Sequence, residues 1–333
     1  MLNKEPSPLR ILKKVFHTPT KLPYYIQLAI TDVCNLDCGM CPRHHVDTEN
    51  THIDFEVFKK IIDRLDNAEE ISLVGLGEPF VYPKIFEAIQ YCKSKGLLVK
   101  ITTNGLLLNT EGKLRKLISS GLDTITFSVE GIDDGEIDGK VHKNYQVFEY
   151  VENLIRLKKE LSTSIPKIVL QAVLIKNKEK DVYDIIEWGA KKGVDRINVI
   201  RMTKYFETGL ERPNMKEEKE IFKEFARLRK KYNIRIDCMQ DQFYDGLKSI
   251  VYKHTKNFLR IDSCCTRLMD YPYITQKGDM IPCCVLPDYK FGNILETNIK
   301  DVWQGDRFTN FRKNHSKLET CSKCDNLRIK QYV

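Results

Sequence analysis

The chain has 333 residues, of which 42% are hydrophobic and 30% charged, a composition that excludes wholesale disorder and fits a folded globular protein. At ~150 residues per domain, the length suggests about two domains, or one α/β barrel with a small addition. The 54 Lys and Arg exceed the 46 Asp and Glu by a net +8 spread along the chain, which reads as a solvated basic surface rather than a nucleic-acid-binding face.

A basic leader occupies 1–23 and lacks the apolar core and small-residue cleavage site of a signal peptide. A strand–helix rhythm then begins. Strands are predicted at 24–31, 71–76, 97–103, 124–129, 168–175 and 196–200, and helices at 55–65, 83–94, 110–120, 148–161 and 182–191. Asp54 is the cap candidate of the first helix, Pro83 opens the second and Gly121 closes the third. The strands are nearly continuous apolar runs, as expected when helices cover one side of a parallel sheet. The fold class read from this pattern is α/β, a parallel sheet over 24–240 with right-handed crossovers, either open or curled as a barrel. Helix 216–231 and strand 234–238 end that domain, and 241–259 form a linking helix. From 260 the helical periodicity fades, and six of the 11 cysteines fall between Cys264 and Cys324. Residues 260–333 are therefore read as a small Cys-rich C-terminal domain. No run reaches the roughly 20 apolar residues of a membrane span. The expected location is the cytoplasm, where clustered thiols more often bind metal or do redox chemistry than form bridges.

Immediately after the first strand, Cys34, Cys38 and Cys41 lie on one loop with gaps of three and two residues. Soft thiolates so spaced suit an iron–sulfur cluster or zinc. Structural zinc asks for four ligands, and His44 and His45 are the adjacent candidates for a fourth. Three ligands on a four-iron cluster instead leave one iron open to a substrate or cofactor. The CxxxCxxC motif after the first strand of a βα repeat resembles the radical S-adenosylmethionine (SAM) superfamily. That resemblance implies a partial (β/α)6 barrel of TIM type over 24–240, a 4Fe-4S cluster on Cys34, Cys38 and Cys41, SAM chelating the open iron, and Met40 near the adenine. It further implies reductive cleavage of SAM to a 5′-deoxyadenosyl radical that abstracts hydrogen from a C–H bond, fed by an electron donor such as flavodoxin or ferredoxin. The cofactor supplies that chemistry, while the protein orients the substrate and excludes water.

Gly75-Leu76-Gly77-Glu78-Pro79 follows the second strand. It fails as a dinucleotide fingerprint, because position 80 is Phe80 and no helix opens at once. It is similar to the family's GGEP motif with Leu76 for one glycine, which implies that Gly75, Gly77 and Glu78 receive the SAM ammonium. Asn104-Gly105 ends the third strand and precedes a helix, against a hairpin; the family's TNG motif places Asn104 near the SAM ribose or carboxylate. Ser128-Val129-Glu130-Gly131 is similar to the family's S-x-D-G, so Ser128 would reach SAM, with Glu130 standing for Asp. Lys143 lies in the region of a basic residue that binds the SAM carboxylate. Gln171 and Arg201 are read either as exposed strand-end residues or, pointing into a barrel mouth, as ligands of SAM or substrate.

In the C-terminal region Cys264-Cys265 and Cys283-Cys284 are vicinal pairs. Adjacent residues of an extended chain point to opposite sides, so each pair offers one ligand to a common site. With Cys321 and Cys324 that makes four thiolates, for which zinc in a ribbon-like module is the alternative. The spacing from Cys265 to Cys283, with Gly278 between them and Gly292-Asn293-Ile294 and Val302-Trp303 following, resembles the SPASM extension of radical SAM enzymes. Full SPASM domains carry seven cysteines and two auxiliary clusters. This chain resembles the shortened twitch-type form, which implies one auxiliary 4Fe-4S cluster on Cys265, Cys283, Cys321 and Cys324. Cys265 is chosen over Cys264 by its spacing to Met269.

Auxiliary clusters of this family commonly take part in electron transfer. The expected function is dehydrogenation of a small sugar-like or alcohol metabolite, the auxiliary cluster accepting the second electron. The alternatives are a radical epimerase with a cysteine hydrogen donor, and a peptide-modifying maturase; the absence of an N-terminal leader-recognition domain favours a small-molecule substrate. Cys92, within a helix, reads as core packing, and Cys238 is the candidate hydrogen donor. The non-enzymatic rival is a zinc-binding scaffold or RNA-binding protein, which iron and sulfide analysis separates.

Overall fold

A computed structural model describes residues 19–137, 140–142, 144–202, 209–238, 265 and 267–324. Lys143, Cys264, the 241–259 segment and most of the leader lie outside them. In chain order the elements are β1 (Tyr25–Leu28), α1 (Phe55–Asp63), β2 (Glu70–Ser72), α2 (Ile85–Ser94), β3 (Leu98–Thr103), α3 (Glu111–Ser119) and β4 (Thr124–Ser128). A hairpin of β5 (Gly135–Ile137) and β6 (Lys140–His142) precedes α4 (Asn144–Glu160), β7 (Lys167–Leu174), α5 (Glu179–Lys192), β8 (Arg196–Arg201), α6 (Met215–Tyr232) and β9 (Ile236–Cys238). The Cys-rich segment supplies α7 (Arg267–Asp270), β10 (Tyr273–Ile274), β11 (Asp279–Ile281), β12 (Gly292–Asn293), α8 (Ile299–Gln304), α9 (Asp306–Asn314) and α10 (Glu319–Ser322).

The helix starts follow local chemistry. The Asp54 carboxylate accepts the Glu56 and Val57 N–H groups at the head of α1, Thr110 caps α3, and Asn214 with Glu217 forms a reciprocal capping box on α6.

The chain forms two compact units, one of 1–35, 42–99 and 251–330, the other of 36–41, 100–250 and 331–333. In the first, the strand order is β12-β11-β10-β1-β2. Here β1 pairs in parallel with β2 and with β10, while β10, β11 and β12 run antiparallel. The Cys-rich segment therefore hydrogen-bonds directly to the first strand of the chain. Ile26, Leu28 and Ile71 are fully buried in this unit. Its C-terminal core is aromatic, with Phe291 stacked on Phe308 at 4.1 Å and Trp303 edge-on at 4.9 Å.

In the second unit β3, β4, β7, β8 and β9 are parallel neighbours in that order. Their register decides which residues share a face. Phe127, Leu170, Ile197 and Ile236 form one row across the sheet. A Cβ placed on Gly189 of α5 would stand 2.7 Å from Ile197 Cδ1 and 3.3 Å from Leu170 Cδ1, so that row faces the helices. One residue on, Ser128, Gln171, Asn198 and Asp237 form the next row, on the opposite face because side chains alternate along a strand.

Candidate functional site

The first unit holds the start of the cysteine loop and the glycine segment. Beyond β1 the chain is pinned at Thr31, whose hydroxyl accepts the Val33 N–H at 3.0 Å and lies 2.8 Å from His52 Nδ1. Asp32 holds the loop's return through the backbone N–H groups of Glu49 and Thr51, at 2.9 and 2.6 Å. Against this backbone runs the Gly75–Glu78 stretch: Gly77 N–H donates to Thr31 O and Glu78 N–H to Val33 O. A Cβ on Gly77 would fall 2.4 Å from Val33 O and 2.7 Å from Thr31 O. Gly77 thus lets two backbones touch one residue before Cys34, a packing need that the motif reading alone does not reveal. The Glu78 side chain is buried and accepts the Phe80 N–H at 3.0 Å, capping a 3-10 turn. The expected strand to residue 76 ends at Ser72, because the following residues turn toward this contact.

The second unit carries Cys38, Met40 and Cys41. The Cys41 N–H donates to Cys38 O at 3.0 Å, closing a tight turn. Met40 packs on Ile175 and Met202 with Val173 and Leu210. Val173 shares a face with Gln171, so this loop residue stands over the upper end of the polar row. Asn104 accepts the Leu106 N–H at 3.1 Å, fixing the turn after β3. Ser128 and Gln171 are paired in register, and Asn198 Nδ2 donates to Gln171 Oε1 at 2.7 Å. Asn198 completes a polar face that apolar-run reading had not singled out; its signal in the sequence is a lone amide in an apolar strand, as with Gln171.

The same alternation places Arg201 and Cys238 on the other face. Arg201 shares the helix-facing row with Ile197 and is 3% exposed. There its Nε and Nη2 donate to the two Glu218 carboxylate oxygens of α6 at 2.5 and 3.0 Å. Cys238 pairs with Val199 on that face and is 6% exposed. Neither side chain shares the face of Ser128 and Gln171. Cys92 is likewise fully buried, and burial pushes its thiol pKa up.

Glu130 extends the Ser128 face. Burial pushes its carboxyl up to about 8, against a hydrogen bond from the Val173 backbone and the charge of Lys178, and its Oε2 has no hydrogen-bond partner among the described residues. Asn144 holds the surrounding loop, accepting the Glu130 N–H and donating to Asp133 O at 3.0 Å. Because the folded-state value lies above the ordinary 4.5, Glu130 is harmless to stability below pH 4.5 and costs stability progressively as pH rises to and through 8. Replacing it with Gln should therefore flatten the fall in unfolding free energy between pH 5 and 9, read by urea denaturation. Superimposable pH profiles for the two proteins would count against this assignment.

The C-terminal cysteines gather within the first unit. Burial pushes the Cys265 thiol up to about 11 and Cys321 up to about 12, with a further rise from mutual repulsion: Cys265 feels Cys324, and Cys321 feels Cys324 and Cys265. Cys283 is raised by burial, then by Cys284 and Cys265. Cys265 is thus the common neighbour of Cys283, Cys321 and Cys324, the four thiols expected from the spacing. Its backbone N–H donates to His315 Nε2 at 3.2 Å, while His315 Nδ1 meets Arg312 O at 2.8 Å. An accepting Nε2 leaves the proton on Nδ1, and burial lowers the His315 pKa, so a neutral imidazole orients the Cys265 backbone. Sequence spacing offered no sign of His315. Cys284 packs instead on Ala29, Tyr273 and Ile281. Among the described residues no three His, Cys, Asp or Glu side chains stand close enough to hold a single metal ion. The fit to a cluster rests on the donor set, thiols alone in both places, which soft iron–sulfur centres favour. Changing Cys265, Cys283, Cys321 or Cys324 to Ala should lower iron by about four per chain, while C284A and C92A keep it; equal loss from C284A would break the ligand assignment.

These features define the class: an α/β protein with parallel strands, a three-thiol loop after the first strand and a Cys-rich C-terminal module. Residues 28–189 match the radical SAM superfamily, and residues 264–325 match the SPASM iron–sulfur cluster-binding domain. The chain belongs to the radical SAM superfamily and carries a SPASM domain. Those domains imply a 4Fe-4S cluster with SAM and auxiliary iron–sulfur binding. Among curated relatives, the chain is 25% identical over 340 residues to the tungsten-containing aldehyde ferredoxin oxidoreductase cofactor-modifying protein of Pyrococcus furiosus, covering 90% of this chain and 86% of the relative. It is 23% identical over 323 residues to the PqqA peptide cyclase of Methylorubrum populi, covering 91% and 78%. Among solved structures, Streptococcus suis SuiB bound to SAM superposes with a TM-score of 0.72 at 17% identity, covering 99% of this chain and 79% of SuiB. No described helix is long and apolar enough to cross a membrane.

Proposed function

We propose that this chain is a SAM-dependent radical oxidoreductase that removes hydrogen from an unactivated C–H bond of a polar, hydroxyl-bearing small molecule, giving the two-electron-oxidised product. When bound, the cluster and SAM supply a 5′-deoxyadenosyl radical, and an auxiliary cluster supplies an electron sink. The observation that carries the reading is the polar row Ser128, Gln171 and Asn198 on one sheet face, hydrogen-bond partners suited to a hydroxylated substrate. Cys34, Cys38 and Cys41 would hold the SAM-binding cluster; Gly75, Gly77, Glu78, Asn104 and Ser128 would hold SAM, and Lys143 its carboxylate. Cys238 is buried on the helix-facing side, which supports dehydrogenation over an epimerase that uses this thiol as hydrogen donor. The electron for cleavage would come from a flavodoxin or ferredoxin, in the cytoplasm.

A second reading, modification of a peptide or of another enzyme's cofactor, is favoured by what the relatives are: a cofactor-modifying protein, the PqqA peptide cyclase and the sporulation killing factor maturation protein SkfB of Bacillus subtilis. The test is anaerobic reconstitution followed by assay of 5′-deoxyadenosine, then deuterium transfer into it from labelled polyols and from peptides. About eight irons per chain, SAM-dependent 5′-deoxyadenosine and deuterium from a polyol support the proposal, and C238A should retain activity. Deuterium from peptides alone selects the second reading, and zinc without SAM cleavage overturns both.

A further inference from the structure

We propose that Arg267 is a positioning residue whose fixed charge, held in place by Gln27, sets the reduction potential of the auxiliary cluster. The inference rests on the reading that Cys265, Cys283, Cys321 and Cys324 hold that cluster. Arg267 stands two residues beyond Cys265 at the head of α7, and its backbone N–H, with that of Leu268, serves the Cys265 thiol. Its guanidinium turns inward. Nη1 donates to Gln27 Oε1 at 2.8 Å, and the group lies over the Tyr271 ring at 5.7 Å. Gln27 is 7% exposed on β1, and its Nε2 donates to Val74 O at 3.0 Å. Both ends of the Gln27 amide are therefore engaged, so its oxygen is fixed toward Arg267.

Among the described residues no carboxylate forms an ion pair with Arg267. An arginine guanidinium stays charged in proteins, and Cys284, Tyr271, Cys265 and Cys283 are the groups that feel this charge. Four cysteinates bring four negative charges into a partly desolvated site. One-electron reduction adds another, and a fixed cation nearby favours the reduced form through a Coulomb interaction strengthened by the low dielectric. Arg267 would thus raise the auxiliary potential, which suits an electron acceptor. Gln27 ties this charge to Val74, the residue before the Gly75–Glu78 stretch.

The test is a dithionite titration of the reconstituted full-length protein, followed by electron paramagnetic resonance of the auxiliary signal. Arg267→Gln should lower the reduction equilibrium constant about tenfold or more, which for one electron is about 59 mV, while Arg267→Lys stays within about threefold of wild type. An unchanged potential in Arg267→Gln, or an equal fall in Arg267→Lys, overturns the inference, the latter because packing rather than charge would then matter. Should Arg267→Gln fail to take up iron, Gln27→Glu decides: a carboxylate on Nη1 neutralises the cation, so a lowered potential supports the inference and an unchanged one overturns it. A wild-type protein with only one cluster would instead sink the auxiliary-site reading itself.

Discussion

Gly77→Ala is expected to destabilise the first unit severely and to leave the protein unable to retain iron on the Cys34 loop. The added Cβ would stand 2.4 Å from Val33 O, 2.7 Å from Thr31 O and 2.8 Å from the Asp32 carbonyl carbon. All three are backbone atoms, so no side-chain rotation relieves the overlap. Two hydrogen bonds, Gly77 to Thr31 and Glu78 to Val33, would have to open to make room. Overpacking in well-packed interiors costs about 1–3 kcal/mol, occasionally more, and this site belongs at the upper end because the obstacle is main chain. Gly75→Ala meets Thr31 O at 3.0 Å and Ala29 Cβ at 3.1 Å, so a smaller loss is expected. Gly112→Ala, with nothing within 4 Å inside α3, should instead stabilise by about 0.4–1 kcal/mol. Urea denaturation and iron content of the three variants give the order; wild-type stability and iron in Gly77→Ala would disprove the close approach.

Arg201→Met and Glu218→Leu are each expected to cost about 3–5 kcal/mol, the range for stripping one partner from a buried ion pair. The two side chains are 2% and 0% exposed, joined by two hydrogen bonds between β8 and α6. Removing either one leaves the other charge desolvated. Changing both, Arg201→Met with Glu218→Leu, should recover most of the loss, because apolar groups of similar volume replace such pairs at little cost. Urea unfolding of the two singles and the double measures this as a coupling energy. A loss under 1 kcal/mol in the Arg201 single variant would return Arg201 to the ligand candidates.

Much was legible in the chain itself. Apolar runs alternating with helical periods located β1, β3, β4, β7 and β8 to within three residues at each end, since local propensity and capping chemistry act over a single turn or strand. Asp54 caps the helix assigned to it, while Thr110, read as the first residue of its helix, is that helix's N-cap. The hairpin of β5 and β6 and the strands β10 to β12 were not anticipated, because two- or three-residue strands carry no measurable period. Cys265, Cys283, Cys321 and Cys324 are the set that the resemblance to SPASM domains implies, and Cys265 electrostatically influences Cys283 and Cys321 in the fold. His315 was not, because its place beside Cys265 spans 50 residues of chain and leaves no local signal.

The sequence by itself determined the αβ rhythm, the two thiol clusters and the superfamily to which they belong, all properties of residue type and spacing along the chain. Only the tertiary structure decided which way each residue points and what backs it. Gln171 and Arg201 looked alike as polar residues on apolar strands, yet strand register sends one to the polar row and buries the other against Glu218. At Gly77 the motif shows a glycine, and only the fold shows that the backbone of Thr31 to Val33 lies where a side chain would be. The reason is the same in each case: a one-residue change of parity or a contact between distant segments is invisible to local pattern, while it governs which atoms share a face.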